Sequence, residues 1–137
     1  MESTFFDEIQ AVYREAWNEK VRIEQERIYH ATHLTKTDLE AVERVKAMCT
    51  NLELKLKIVK AAGDLQNYYV IYKGDDLMPL IHLDYDIQHK VIDDIKQAIL
   101  KHYGSGFGVS YTDQAYDGYG DSLKNSTFTL TWFTVIN

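Results

Sequence analysis

The sequence predicts an α+β domain, and three observations predict it. Apolar residues recur every three or four positions over 4–31, 39–49 and 87–103, the period of a helix face. They alternate at every second position over 52–58 and 127–132, the period of a half-buried strand. Turn chemistry, Gly63-Asp64 and Gly74-Asp75-Asp76, separates the central runs. The predicted order is α-α-β-β-β-α-β-β: two N-terminal helices, then a mostly antiparallel five-stranded sheet with one further helix. At 137 residues the chain reads as one domain, with a helical arm over 1–50 and a sheet core over 51–137.

The first helix, 4–31, carries Phe6, Ile9, Val12, Tyr13, Ala16, Trp17 and Val21 on one side, which predicts packing through Phe6, Ile9, Val12, Tyr13 and Trp17. Its second half is polar, with Arg22 four residues before Glu26, in reach of a side-chain pair. Thr37-Asp38-Leu39-Glu40 reads as a capping box opening the second helix, which runs to Cys49 with Leu39, Val42, Val45 and Cys49 on one face.

From Leu52 the period changes. Leu52, Leu54, Leu56 and Ile58 alternate with Glu53, Lys55 and Lys57, a first strand. Tyr68 to Lys73 is aromatic and β-branched, a second. A third starts at Pro79 and runs to Tyr85, at an edge because proline cannot donate to a ladder. Asp86 caps a third helix, Ile87 to Tyr103, which Gly104 ends. Phe107, Val109 and Tyr111 mark a fourth strand. Phe128, Leu130 and Trp132, backed by Thr127, Thr129 and Thr131, mark a fifth. Beyond it the alternation fades through Phe133 and Val135, which predicts burial on both faces or a bulge.

Composition is that of an ordinary globule, 45% apolar and 26% charged. Twenty-one acids against 15 bases give a net charge of −6, which disfavours direct nucleic-acid binding and favours a protein partner with a basic surface. The single cysteine, Cys49, excludes an internal disulfide and reads as a small buried hydrophobe in a reducing compartment. No run approaches a membrane span, and MESTFFDEIQ lacks the basic region of a signal peptide. A cytoplasmic protein, without membrane attachment and compatible with a homodimer, is the expectation.

Between the last two strands lies YTDQAYDGYGDSLK, 111–124, longer than a hairpin needs. Tyrosine supplies contact area at low entropic cost, and glycine and serine let the backbone adapt. Tyr111, Asp113, Tyr116, Asp117, Tyr119 and Asp121 are therefore the candidate partner-binding residues.

Other constellations are thinner. His30 and His33, with Glu26, supply fewer than a full zinc ligand set. Asp113, Asp117, Gly118 and Asp121 suggest calcium, but Ala115 and Lys124 stand where an EF-hand loop needs acids. The run Gly104–Gly108 follows a helix rather than opening one, so it does not cradle phosphate. His82 and Asp84 would share a strand face, with Asp86 and His89 close by, a pair suited to general-base chemistry, although no serine sits in an elbow motif. Lys55, Lys57, Lys60 and Lys73 could form a basic stripe across two strands. The α-β-β-β-α order over Leu39 to Tyr103 resembles that of double-stranded RNA-binding domains. Against this, the helix that would meet the backbone mixes Asp93 and Asp94 with Lys90, Lys96 and Lys101.

These readings favour a non-enzymatic acidic protein-binding module without cofactor, an inhibitor, immunity or anti-defence protein blocking a basic partner. A secretion or assembly chaperone, and a small enzyme using His82 and Asp84, are the alternatives.

Overall fold

The structure, a computed structural model, describes residues 4–114 and 122–134. The chain divides into two compact units, Met1–His33 and Leu34–Asn137.

The first unit is one helix, α1 (Phe5–Thr32). Its start is a capping box: the Thr4 side chain accepts from the Asp7 N–H at 3.1 Å, and Asp7 Oδ2 accepts from the Thr4 N–H at 3.2 Å. The polar half is laced by exposed ion pairs. Arg22 reaches Glu26 at 2.6 Å, as its spacing predicts, and also Glu19, while Arg27 pairs with Glu24 at 2.7 Å. The apolar side does not do what the sequence predicts. Phe6, Ile9, Val12, Tyr13 and Trp17 are all exposed.

The second unit runs α2 (Lys36–Cys49), α3 (Glu53–Gly63), β1 (Tyr68–Gly74), a 3₁₀ turn (Met78–His82), α4 (Tyr85–Tyr103), β2 (Phe107–Thr112) and β3 (Ser126–Trp132). Its sheet has three antiparallel strands in the order β1-β3-β2, so the last strand of the chain is central. Val109 faces Leu130 and Tyr111 faces Phe128 across the β2–β3 pair. The register shifts between Val70 and Tyr72 on β1. That shift lies opposite Phe128 and Thr129, not at the end of the last strand, where the sequence predicts a bulge or burial on both faces; there Phe133 is exposed and Val135 lies outside the described residues.

One sheet face is buried. Phe128 and Leu130 of β3 and Ile71 and Tyr72 of β1 join Val42, Val45 and Cys49 of α2 and Ile92, Ile95 and Ile99 of α4 in a single core. Tyr103 donates its hydroxyl to the Cys49 carbonyl at 2.7 Å, tying the end of α4 to the end of α2. Tyr68, Val70, Ser110, Thr112 and Thr131 lie exposed, and Thr127 and Thr129 are half-covered. Helices on one side and hydroxyls on the other is the usual arrangement of an antiparallel sheet with one wet face.

The general α+β class holds, but the five-stranded sheet is corrected to three strands, for two reasons. The run from Leu52 is α3, not a strand. Leucine, lysine, glutamate and alanine are strong helix formers, and Leu54 and Ile58, four apart, are the pair turned to the core, while Leu52 and Leu56 stay exposed. The run from Pro79 is a 3₁₀ turn. Proline sits in its first turn, where no N–H is needed, and Leu77, Leu80 and Leu83, three apart, are all buried. With those strands gone, the α-β-β-β-α order over Leu39 to Tyr103 is gone as well. Two helix starts shift by two residues. The capping box is Thr35 with Asp38, rather than Thr37 with Glu40, and the N-cap of α4 is Asp84 rather than Asp86. Gly104 ends α4 as expected, with φ of 94° that glycine tolerates and other residues resist.

Candidate functional site

The loop between β2 and β3 is the longest connection of the second unit, and the described residues at its two ends are closely tied. Asp113 Oδ2 accepts from the Leu123 N–H at 3.1 Å and from the Tyr111 hydroxyl at 3.2 Å. That hydroxyl also lies 2.9 Å from Ser126 Oγ, which donates to the Leu123 carbonyl at 3.1 Å. The Gln114 N–H reaches the Lys124 carbonyl at 2.9 Å, extending the hairpin one step past the strands. From the neighbouring turn, Asp75 accepts the Asn125 N–H at 2.6 Å.

Two residues here hold left-handed backbone. Asn125 has φ of 53°, a conformation asparagine tolerates; Leu123 has φ of 60°, which costs a leucine of order 1–2 kcal/mol. Leu123 is also 1% exposed, its side chain part of the core. Burying a leucine contributes about 1.5–3 kcal/mol, enough to offset the strain. The loop is thus plugged into the core at Leu123 and clipped by Asp113 beside it.

Of the six sequence-predicted contact residues, Tyr111 and Asp113 belong to this clip. Tyr111 packs on the buried Phe128, ring centroids 5.1 Å apart, and Tyr111 and Asp113 are themselves half-buried. Tyr116, Asp117, Tyr119 and Asp121 lie outside the described residues, as does the rest of the suggested calcium set apart from Asp113. Sequence reasoning missed Leu123, Ser126 and Asp75. The one available signal was a leucine alone among polar loop residues.

A second polar cluster lies at the start of α2. Asp38, 1% exposed, closes the capping box and also receives His82 Nε2 at 2.6 Å. The residues are 44 apart in sequence, and the pair ties the 3₁₀ turn to the α2 N-terminus. His82 therefore takes its orientation from Asp38, and the strand that would have set it beside Asp84 is absent. Gln88, also buried, donates to the Leu83 carbonyl at 2.9 Å and steadies the same turn. This cluster is built to hold backbone together.

The remaining candidates sort simply. His33 stacks on Tyr29 with centroids 3.9 Å apart, its Nδ1 2.9 Å from the Tyr29 carbonyl. No group of three potential metal ligands converges among the described residues. Lys57 and Lys60 lie on α3 rather than on a strand, and with Asp64, Gln66 and Tyr68 they line an open groove of about 600 Å³. Cys49 is fully buried, and burial pushes its thiol pKa up to about 12, so the thiolate needed for nucleophilic chemistry does not form near neutrality. No helix among the described residues is long and apolar enough to cross a membrane.

Compared with protein-family models, curated proteins and solved structures, the chain shows no significant match to any.

Proposed function

We propose that this chain is a non-enzymatic binding module that engages a basic protein surface through the 113–122 loop, in the manner of an inhibitor, immunity or anti-defence protein. The observation that supports it most is the clip at the loop's base. A segment rich in tyrosine, aspartate and glycine is mounted on a β-hairpin whose ends are fixed by Asp113, Leu123 and Ser126. Binding segments on a rigid scaffold lose less entropy on association. In this reading Tyr116 and Tyr119 supply the anchoring contact area, and Asp113, Asp117 and Asp121 answer the partner's positive charge. Carboxylates in that role raise the association rate and make it sensitive to salt.

The test is affinity capture from native lysate with the intact chain and with the Tyr116→Ala, Tyr119→Ala double variant. The expected result is a basic protein retained by the first, released by added salt, and lost from the second while the melting temperature stays put. An unchanged dissociation constant for the double variant contradicts the proposal.

A further inference from the structure

The apolar side of α1 is exposed along the first half of the helix. Phe5, Ile9, Val12 and Ala16 follow one another at steps of four and three, the spacing of a coiled-coil seam, which ends where Glu19 takes the next position. Phe6, Tyr13 and Trp17 flank it. Phe5 is 76% exposed, Phe6 and Tyr13 66%, and Trp17 53%. At the usual size of aromatic side chains these four alone leave roughly 500 Å² uncovered. Ile9 and Val12, about half exposed or more, bring the patch near the ~800 Å² per partner of a standard interface. Monomers rarely leave a contiguous apolar patch larger than about 300–600 Å² open.

The structure points to one occupant. We infer that the 5–17 face of α1 is a self-association surface, covered by the same face of a second copy of this chain. An interface between identical chains needs a patch that accepts itself. This one alternates bulky side chains with Ala16, where a neighbouring helix can approach. Phe5, Glu8, Ile9, Val12, Tyr13 and Ala16 already frame a groove of about 540 Å³ along it. The chain carries a net charge of −6, so two copies repel in general; Asp7 and Arg14 lie on the far side of α1, while Glu8 and Glu15 border the seam without crossing it. The charged half of α1 meets its own demand through Arg22 with Glu19 and Glu26 and Arg27 with Glu24. The patch is thus the part of α1 where a second acidic chain meets least opposition.

Sedimentation velocity on the full chain, over a wide concentration range, tests this. The expected species has at least twice the 15.9 kDa of one chain and dissociates on dilution. Ile9→Glu and Val12→Glu should each weaken self-association by roughly thirtyfold or more, the loss typical of a central interface residue. Asn18→Asp, on the opposite side of α1, should leave it unchanged. Since α1 is a unit by itself, the melting of the second unit should be the same in all variants, which separates lost association from lost folding. A wild-type chain that stays monomeric overturns the inference, whether its α1 is then covered by the chain itself or by a foreign partner. Self-association indifferent to both glutamate variants overturns it as well.

Discussion

Helices α1 and α4 look alike in sequence and differ in what becomes of them. Each carries an apolar face, α4 along its length and α1 over its first half, and each starts after a residue suited to N-capping, Thr4 and Asp84. In α4 that face is the centre of the core, with Ile95 and Ile99 fully buried against α2 and the sheet. In α1 the matching face is exposed from Phe5 to Trp17. Helical periodicity therefore states that a face exists and is silent on what covers it. The aromatic content is the subtler clue. The α4 face is built of Val91, Ile92, Ile95 and Ile99, shapes that interdigitate in a core, whereas α1 shows Phe5, Phe6, Tyr13 and Trp17, types enriched at interfaces.

The contrast can be broken by matched truncations. Ile95→Ala removes a fully buried side chain and should cost about 2–5 kcal/mol in denaturant unfolding of the second unit. Val12→Ala on α1 should change that unfolding by no more than about 0.5 kcal/mol. Equal losses at the two sites would erase the distinction between a core face and a contact face.

A smaller effect sharpens the account of the core. The Cys49 thiol is held neutral by burial, its pKa raised from 9.0 to about 12. Above pH 9 the unfolded chain releases this proton while the folded chain keeps it, so stability falls as pH rises and levels off above about 12. The slope from one such group is at most about 1.4 kcal/mol per pH unit. Tyr72 and Tyr103 are raised in the same direction, chiefly by burial, and add to the decline. Cys49→Ser should flatten the curve between pH 9 and 12 without removing the tyrosine share. A slope identical to that of the wild type would show that Cys49 is not sealed in the core.

Much of the fold was legible because its signals were local. The alternation of Phe128, Leu130 and Trp132, the cap at Gly104 and the Arg22–Glu26 pair all depend on near neighbours. What failed depended on competition or distance. Leu52 to Ile58 satisfies both the strand period and helix propensity, and a stretch of lysine, alanine and leucine favours the helix once Leu54 and Ile58 can reach a core. Leu77, Leu80 and Leu83 fit a three-residue period easily taken for the edge of an alternating run. Of the polar sites, the composition of the 111–124 loop was visible, yet the clip beneath it was not. It rests on a leucine in left-handed conformation and on Asp75, 50 residues from Asn125. The Asp38–His82 pair was equally out of reach, since nothing in the sequence joins two residues 44 apart.

The central claim is that one apolar face closes within the chain and the other between chains. Amide hydrogen exchange on the full chain at several concentrations tests it most directly, because an isolated helix is marginal in water and gains protection only when covered. The account predicts that residues 5–17 of α1 become more protected as concentration rises, while residues 92–99 of α4 keep the same protection throughout. Protection of α1 that does not change with concentration would contradict it.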